Sequence, residues 1–340
     1  MTHIRAIVYG VGLSNRIATR LMVEKGVQVV GAVNRSGPKV GKDIGKLAGL
    51  EHSLGVTISD DPEAVLSTPS DIVLVGVCDD MERGVPIYKK CLNHGLNVIT
   101  IGSFASYPWH NFPELTHQLD ELAKANGVTI TGTGNQDFFM VNLPVLMSGV
   151  CHRLDRITHR SLSDVNKSGP EVAKLVHVGE SAEKFNASIA NERPSIYTAF
   201  WENVVADLGM RAHEIKQKTV PIVADSDYYC NNLERTLVSG KIIGTTQILN
   251  ISTKEGLLLV GENTLRLCKE GEEEFKEWRI EGEPDLEIRA TRLDNAFTTA
   301  SQSVNRIPDV INARPGYVTL EKLPKLTFRQ NPMSTYVMKA

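Results

Sequence analysis

The residue types that could do chemistry gather in one glycine turn and three polar clusters. Gly10 and Gly12 directly follow the apolar run 6–9, and Ile17, Ala18, Leu21 and Met22 then recur at helical spacing. That is strand, tight turn, helix. Gly10 permits the turn and Gly12 lets the backbone approach a pyrophosphate. The helix start at Leu13, Ser14, Asn15 and Arg16 offers that anion unpaired N–H groups and a partial positive charge. Asn15 stands where a third glycine is usual. A second apolar run, 28–33, ends at Asn34, Arg35 and Ser36, the place where an NAD-preferring site carries an acid for the ribose 2′-hydroxyl. The acid is missing, Asn34 and Ser36 can bond a phosphate, and Arg35 can neutralise it. The expected cofactor is therefore NADP, with NAD as second choice. Lys39 and Lys42 read as solvated.

The first polar cluster is 102–109. Ser103 and Tyr107 could hold a substrate oxygen or nitrogen, or could simply cap the loop, and Phe104 would line the pocket. The second is 132–139, where Asn135, Gln136 and Phe138 could meet a polar substrate. Asp137 could accept a proton or pair with an ammonium, or could cap a helix start. The third begins at His159, whose ordinary pKa suits proton transfer, although a lone strand histidine is more often structural. The nine histidines show no paired spacing, the five cysteines form no Cys-x-x-Cys, and no Gly-x-Ser-x-Gly occurs. Neither a metal site nor a nucleophile elbow is expected. What is left is hydride chemistry, which a nicotinamide performs while the protein positions substrate and manages protons.

Elements that would place these clusters are legible. Apolar runs at 71–77, 97–101 and 128–131 alternate with helical stretches at 82–94 and 114–126, the latter stopped by Gly127. Strands alternating with helices over the first 150 residues predict a doubly wound parallel sheet, whose ligands sit beyond the carboxyl ends of the strands. Those ends supply Val77, Cys78, Asp79 and Gly102 as further cofactor residues. Segments 157–162, 241–252, 256–260 and 277–280 alternate like a mainly antiparallel sheet, with one long helix near 195–209. The second domain is accordingly α+β, over 151–290, for substrate binding and dimerisation. Residues 291–340 return to the first domain: a polar helix at 294–313, with Thr298 toward substrate and Asn305 toward cofactor, then an extended surface tail. The acidic run 270–277 reads as a solvated hairpin. A net charge of −3 argues against nucleic acid, and no apolar run approaches a membrane span. The first residues lead straight into a strand, so a cytoplasmic protein with reduced thiols is expected.

With these segments in hand, the chain resembles the 2,4-diaminopentanoate dehydrogenases and native amine dehydrogenases, within the dihydrodipicolinate reductase-like Rossmann oxidoreductases. The resemblance rests on Gly10-Val11-Gly12, 40–45, Ser106-Tyr107-Pro108-Trp109, Gly132-Thr133-Gly134, 298–308 and 313–316, in that order along nearly the whole chain. It implies a Rossmann fold, a homodimer and a pocket facing the nicotinamide. It also implies hydride transfer between an NADP nicotinamide and the carbon of a small amine or amino acid, with ketone or imine plus ammonia in reverse. Two departures matter. The family's Cys-Glu-Glu-Leu is here Gly102-Ser103-Phe104-Ala105, so no carboxylate stands where the family binds ammonia or amine. The family's Gly-Val-Asn-Pro-Gly-Phe is here 134–139, from which Asp137 could supply the lost acid. The alternatives are a ketone, alcohol or imine reductase that uses no ammonia, and, less favoured, a non-catalytic NADP-binding protein.

Overall fold

The computed structural model describes residues 3–168, 170–189 and 194–338. In chain order its strands are β1 (Arg5–Tyr9), β2 (Gln28–Val33), β3 (Ile58–Ser59), β4 (Ile72–Val75), β5 (Asn97–Thr100), β6 (Thr129–Gly132), β7 (Arg153–Asp164), β8 (Ala212–Val223), β9 (Tyr228–Cys230), β10 (Arg235–Leu237), β11 (Ile242–Thr253), β12 (Leu258–Arg266), β13 (Phe275–Glu283), β14 (Leu286–Thr291) and β15 (Gly316–Tyr317). The chain divides into two compact units. One holds the residues up to Leu143, Glu202–Asp207 and those from Asp294 on; the other holds Pro144–Trp201 and Leu208–Leu293.

The first unit is built on a parallel sheet in the order β15-β6-β5-β4-β1-β2-β3. Its central strands are unbroken apolar runs because both faces are covered: Ala6, Ile7 and Val8 of β1 and Ile72 and Val73 of β4 have no exposed surface. Helix Leu13–Glu24 turns Ala18, Thr19 and Met22 inward. Helix Met81–Asn93 starts where the Asp80 carboxylate accepts the Arg83 N–H at 3.2 Å. Helix Pro113–Ala125 opens on proline and stops before Gly127, whose φ of +66° no other residue adopts as readily. The expected polar helix at 294–313 is two helices, Asn295–Asn305 and Ile307–Asn312, meeting at Arg306 just before Pro308. The tail is not purely a surface strap. Gly316–Tyr317 pairs in parallel with β6 as an edge strand, a two-residue signal too short for sequence periodicity to reveal.

The second unit holds a mixed six-stranded sheet, β14-β13-β7-β12-β11-β8. Every pair is antiparallel except β7 with β12 at its centre. The acidic run flows into β13, whose Trp278 lies opposite His159 of β7, while Gly261 of β12 lies beside His159 on the other side. The Trp201 indole, fully buried, lies against Gly261: a Cβ there would come within 1.4 Å of the ring. Glycine is therefore fixed by packing and not by backbone conformation. Gly261→Ala should destabilise the protein by about 2–3 kcal/mol, as overpacking of a filled core does. A urea melt reads this, and an unchanged midpoint would refute the packing role.

Candidate active site

The carboxyl ends of β1 and β2 build the first part of the site. Gly10 has φ +89°, and a Cβ on it would meet the Gly76 carbonyl oxygen at 2.4 Å. Gly12 precedes helix Leu13–Glu24 with no side-chain cap, and the space where its Cβ would point is open. The first-turn N–H groups thus have no side-chain cap. Leu13 and Val77, 56% and 47% exposed, stand at the ends of β1 and β4. This cradle fits a dinucleotide pyrophosphate.

Asn15 does something other than meet the anion. Its buried amide donates to the Gly10 carbonyl at 2.8 Å and to the Tyr9 and Leu74 carbonyls at 3.3 Å. It packs where Gly76 leaves room, 2.8 Å from the position a Cβ would take. A side chain fits at the third-glycine position because the residue facing it, Gly76, has none. Asn34 also braces the turn, its Oδ1 accepting the Val11 N–H at 3.1 Å. Lys39, expected to be solvated, reaches back with its ammonium to the Val11 carbonyl. Arg35 is exposed, and the buried Nε of Arg16 has no partner among the described residues. The acid missing after β2 in sequence is present in space: the Ser36 hydroxyl donates to Asp60, at the end of β3, at 2.6 Å.

The ends of β4, β5 and β6 are knitted together. Asp79 accepts both the Ser103 N–H (3.0 Å) and its hydroxyl (2.8 Å). Gly102 is close-packed on the Cys78 carbonyl, and a Cβ on Gly132 would fall 2.2 Å from the Ala105 carbonyl carbon. Tyr317 donates to the Ala105 carbonyl at 2.6 Å. Phe104 packs edge-on against Phe112, centroids 5.4 Å apart, on the core. The 132–138 loop binds the polar helix: Asn135 donates to Asn295 at 2.9 Å and accepts from Thr298 at 3.2 Å, and the Phe138 N–H donates to Gln302 at 2.8 Å. Gln136, buried, donates to the Thr133 carbonyl. Asn135 and Thr298 thus spend their polar atoms on this joint, and Gln136 bonds within its own loop. Asn305 lies on the same helix, which packs on helix Leu13–Glu24.

Two of the expected acid–base groups, Asp137 and His159, are fully buried. Asp137 and Arg306 are both fully buried and form a two-pronged ion pair at 2.6 and 2.8 Å. Thr133 and Asn142 donate to the same carboxylate at 2.8 and 2.6 Å. Four donors leave it no spare role as a base. Against burial, the Asp137 charge holds the Arg306 guanidinium above its ordinary pKa. His159 has no exposed surface and lies 4.3 Å, centroid to centroid, from the Trp278 ring. Burial, then the Lys276 charge, pushes it down to about 3, which favours the neutral ring over the imidazolium.

The carboxyl that sequence reasoning missed is Glu202, on helix Ile196–Asp207. Its neighbour Asn203 donates to the Ser106 carbonyl at 3.1 Å, which pins it to the 103–107 loop. The Glu202 side chain is 6% exposed, with Oε1 3.0 Å from His110 Nδ1 and Oε2 buried without a partner. Burial pushes it up to about 8. Tyr107 stands near, pushed up to about 12 by burial first and then by the Glu321 and Glu202 charges. The sequence did carry a signal: one carboxylate inside the apolar run from Ala199 to Val205.

Fold and cradle together define a Rossmann-type oxidoreductase. Residues 138–338 match the family model for the 2,4-diaminopentanoate dehydrogenase C-terminal domain, and the chain belongs to that family. It is 25% identical to the 2,4-diaminopentanoate dehydrogenase of Acetoanaerobium sticklandii over 95% of this chain and 94% of that one. It is 24% identical to an amine dehydrogenase of Streptomyces virginiae over 63% and 62% of the two chains. The structure of an amine dehydrogenase from Mycobacterium smegmatis superposes with a TM-score of 0.92 at 40% identity, covering 97% of this chain and 98% of that one.

Asp137→Asn should lower stability by about 3 kcal/mol. That is the low end for a broken buried pair, because Asp309 still faces Arg306 at 3.2 Å. Chemical denaturation measures it; loss of turnover with unchanged stability would return Asp137 to catalysis. For His159 the folded pKa lies below the unfolded one, so its contribution is whole above pH 6.5 and is lost as pH falls toward 3. The slope is roughly 1.4 kcal/mol per pH unit in that window. His159→Phe should lack this slope in melts at pH 4 to 7, and parallel curves for the two proteins would sink the assignment.

Proposed function

We propose that the protein is an NADP-dependent oxidoreductase of the amine dehydrogenase type. It would move hydride between the nicotinamide and the carbon bearing the nitrogen of a small amine or amino acid, with ketone or imine plus ammonia in reverse. The observation that carries this is the tight turn at Gly10 and the uncapped helix start at Gly12, with Lys39 on the Val11 carbonyl, in a chain that matches an amine dehydrogenase along nearly its full length. The pyrophosphate would rest on the N–H groups from Gly12 to Asn15, and Arg35 and Lys39 would neutralise a 2′-phosphate. When bound, the cofactor supplies hydride transfer. Val77, Asp79 and Ser103, at the carboxyl edge of β4 and β5, would border its reactive ring, with Tyr107 toward the substrate nitrogen.

Two specific observations favour second readings. Asp60 beside Ser36 could accept a ribose 2′-hydroxyl, which suits NAD. Ser103 and Phe104, in place of the family's acids, suit a ketone or imine reductase without ammonia. One set of assays divides them. Consumption of NADPH with a ketone should require ammonium. Arg35→Ala should weaken NADPH at least tenfold and leave NADH within twofold, while Asp60→Ala should spare NADPH. Equal loss for both cofactors would remove the phosphate assignment, and turnover indifferent to ammonium would make the reductase the better reading.

A further inference from the structure

We propose that Glu202 is the catalytic residue that takes the proton from the substrate's ammonium, in a subsite it shares with Tyr107 and His110. The inference rests on the amine reading above and deepens it.

The argument begins with partners. Among the described residues of the first unit, the two other carboxylates buried as deeply are neutralised by cations, Asp137 by Arg306 and Asp309 by Arg306 and Arg329; Glu321, less deeply buried, also has one oxygen without a partner, but its other oxygen accepts from Thr319. Glu202 has instead one oxygen on a half-exposed imidazole and the other, Oε2, buried and unpartnered. A buried acceptor with no donor is costly, and a donor brought by a ligand would relieve that cost. An ammonium supplies what is missing: positive charge and three donors. Its position fits the task. Asn203 holds this stretch on Ser106, in the loop at the carboxyl end of β5, where a parallel sheet of this kind presents its ligands. Tyr107, in the same loop, keeps its proton, so it can donate or accept a hydrogen bond but cannot compete as the base. The other charged groups around are Glu321, which accepts from Thr319 at 2.6 Å, with Lys322 at 4.0 Å, and Asp207 with Lys325 further along the helix of Glu202.

The step balances. The Glu202 carboxylate accepts one N–H proton of the ammonium. With an oxidised nicotinamide bound as hydride acceptor, the nitrogen lone pair so freed would form the C=N bond as the C–H bond broke and its electron pair left as hydride. The iminium product keeps two N–H protons, and Glu202 holds the third. In reverse the neutral carboxyl returns it. A group that ionises near pH 8 can serve both directions.

The test uses the full chain and Glu202→Gln. An infrared pH titration of the cofactor-free protein should show one buried carboxyl ionising with a midpoint near 8, and Glu202→Gln should lack it. NADPH binding, read by fluorescence, should be unchanged. For amine oxidation, wild-type kcat/KM should rise with pH to a plateau above about 8. The variant should lose that limb and about 10²–10⁴-fold in rate, with partial rescue by Glu202→Asp. No carboxyl titrating near 8, or a variant that binds NADPH and keeps both rate and limb, overturns the assignment alone. A wild type that oxidises no primary amine while the infrared band is present overturns the amine reading, and this step with it.

Discussion

The ion pair between Asp137 and Arg306 is the constraint around which the carboxyl edge of the first sheet is arranged. Both side chains are fully buried, so neither charge can be left alone. Satisfying them fixes three segments at once. Thr133 and Asn142 are drawn to the Asp137 carboxylate and tighten the turn after β6. Arg306 must sit at the break between helices Asn295–Asn305 and Ile307–Asn312 to reach it. Its remaining N–H groups bind Asp309 and the Pro324 carbonyl, which fastens the tail. The polar helix of the sequence is polar because it docks here, through Asn295, Thr298 and Gln302, onto the 132–138 loop.

Close backbone approach does the rest of the positioning. Gly10 against Gly76, Gly102 against Cys78 and Gly132 against Ala105 bring successive loops within van der Waals contact. None of the three could bear a side chain without moving its neighbour. The result is a rigid rim, crossed by the Asp79–Ser103 and Tyr317–Ala105 hydrogen bonds, on which mobile groups have few places to be.

How much of this was legible follows from the range of each signal. Local signals carried: the parallel strands read as apolar runs because both faces are buried, and the glycine turn announced itself by position. Short elements did not, since the two residues of β3 or β15 have no period. Partners distant in sequence were equally hidden. Asp60 meets Ser36 from 24 residues away, and Arg306 meets Asp137 from 169. Lys39 looked like any surface lysine until the fold curled it back to Val11. The candidate acids were ranked by their neighbours in sequence, and a carboxylate's chemistry is set by its neighbours in space.

Asp137 and Glu202 make that last point sharply. Both are carboxylates, both are buried, and both belong to the first unit. Burial by itself raises the energy of the charged form of either. For Asp137 a guanidinium and two further donors repay that cost within the folded chain, so its charge is bound to structure and unavailable for chemistry. For Glu202 the one neighbour is the half-exposed His110 imidazole, and burial pushes the acid up to about 8. A sequence search for a lone acid beside a glycine loop selects the first and passes over the second. A search for an acid embedded among Phe200, Trp201, Val204 and Val205 would have selected Glu202, because an ionisable group so placed must find a cation in the fold, hold its proton, or meet a cation from outside.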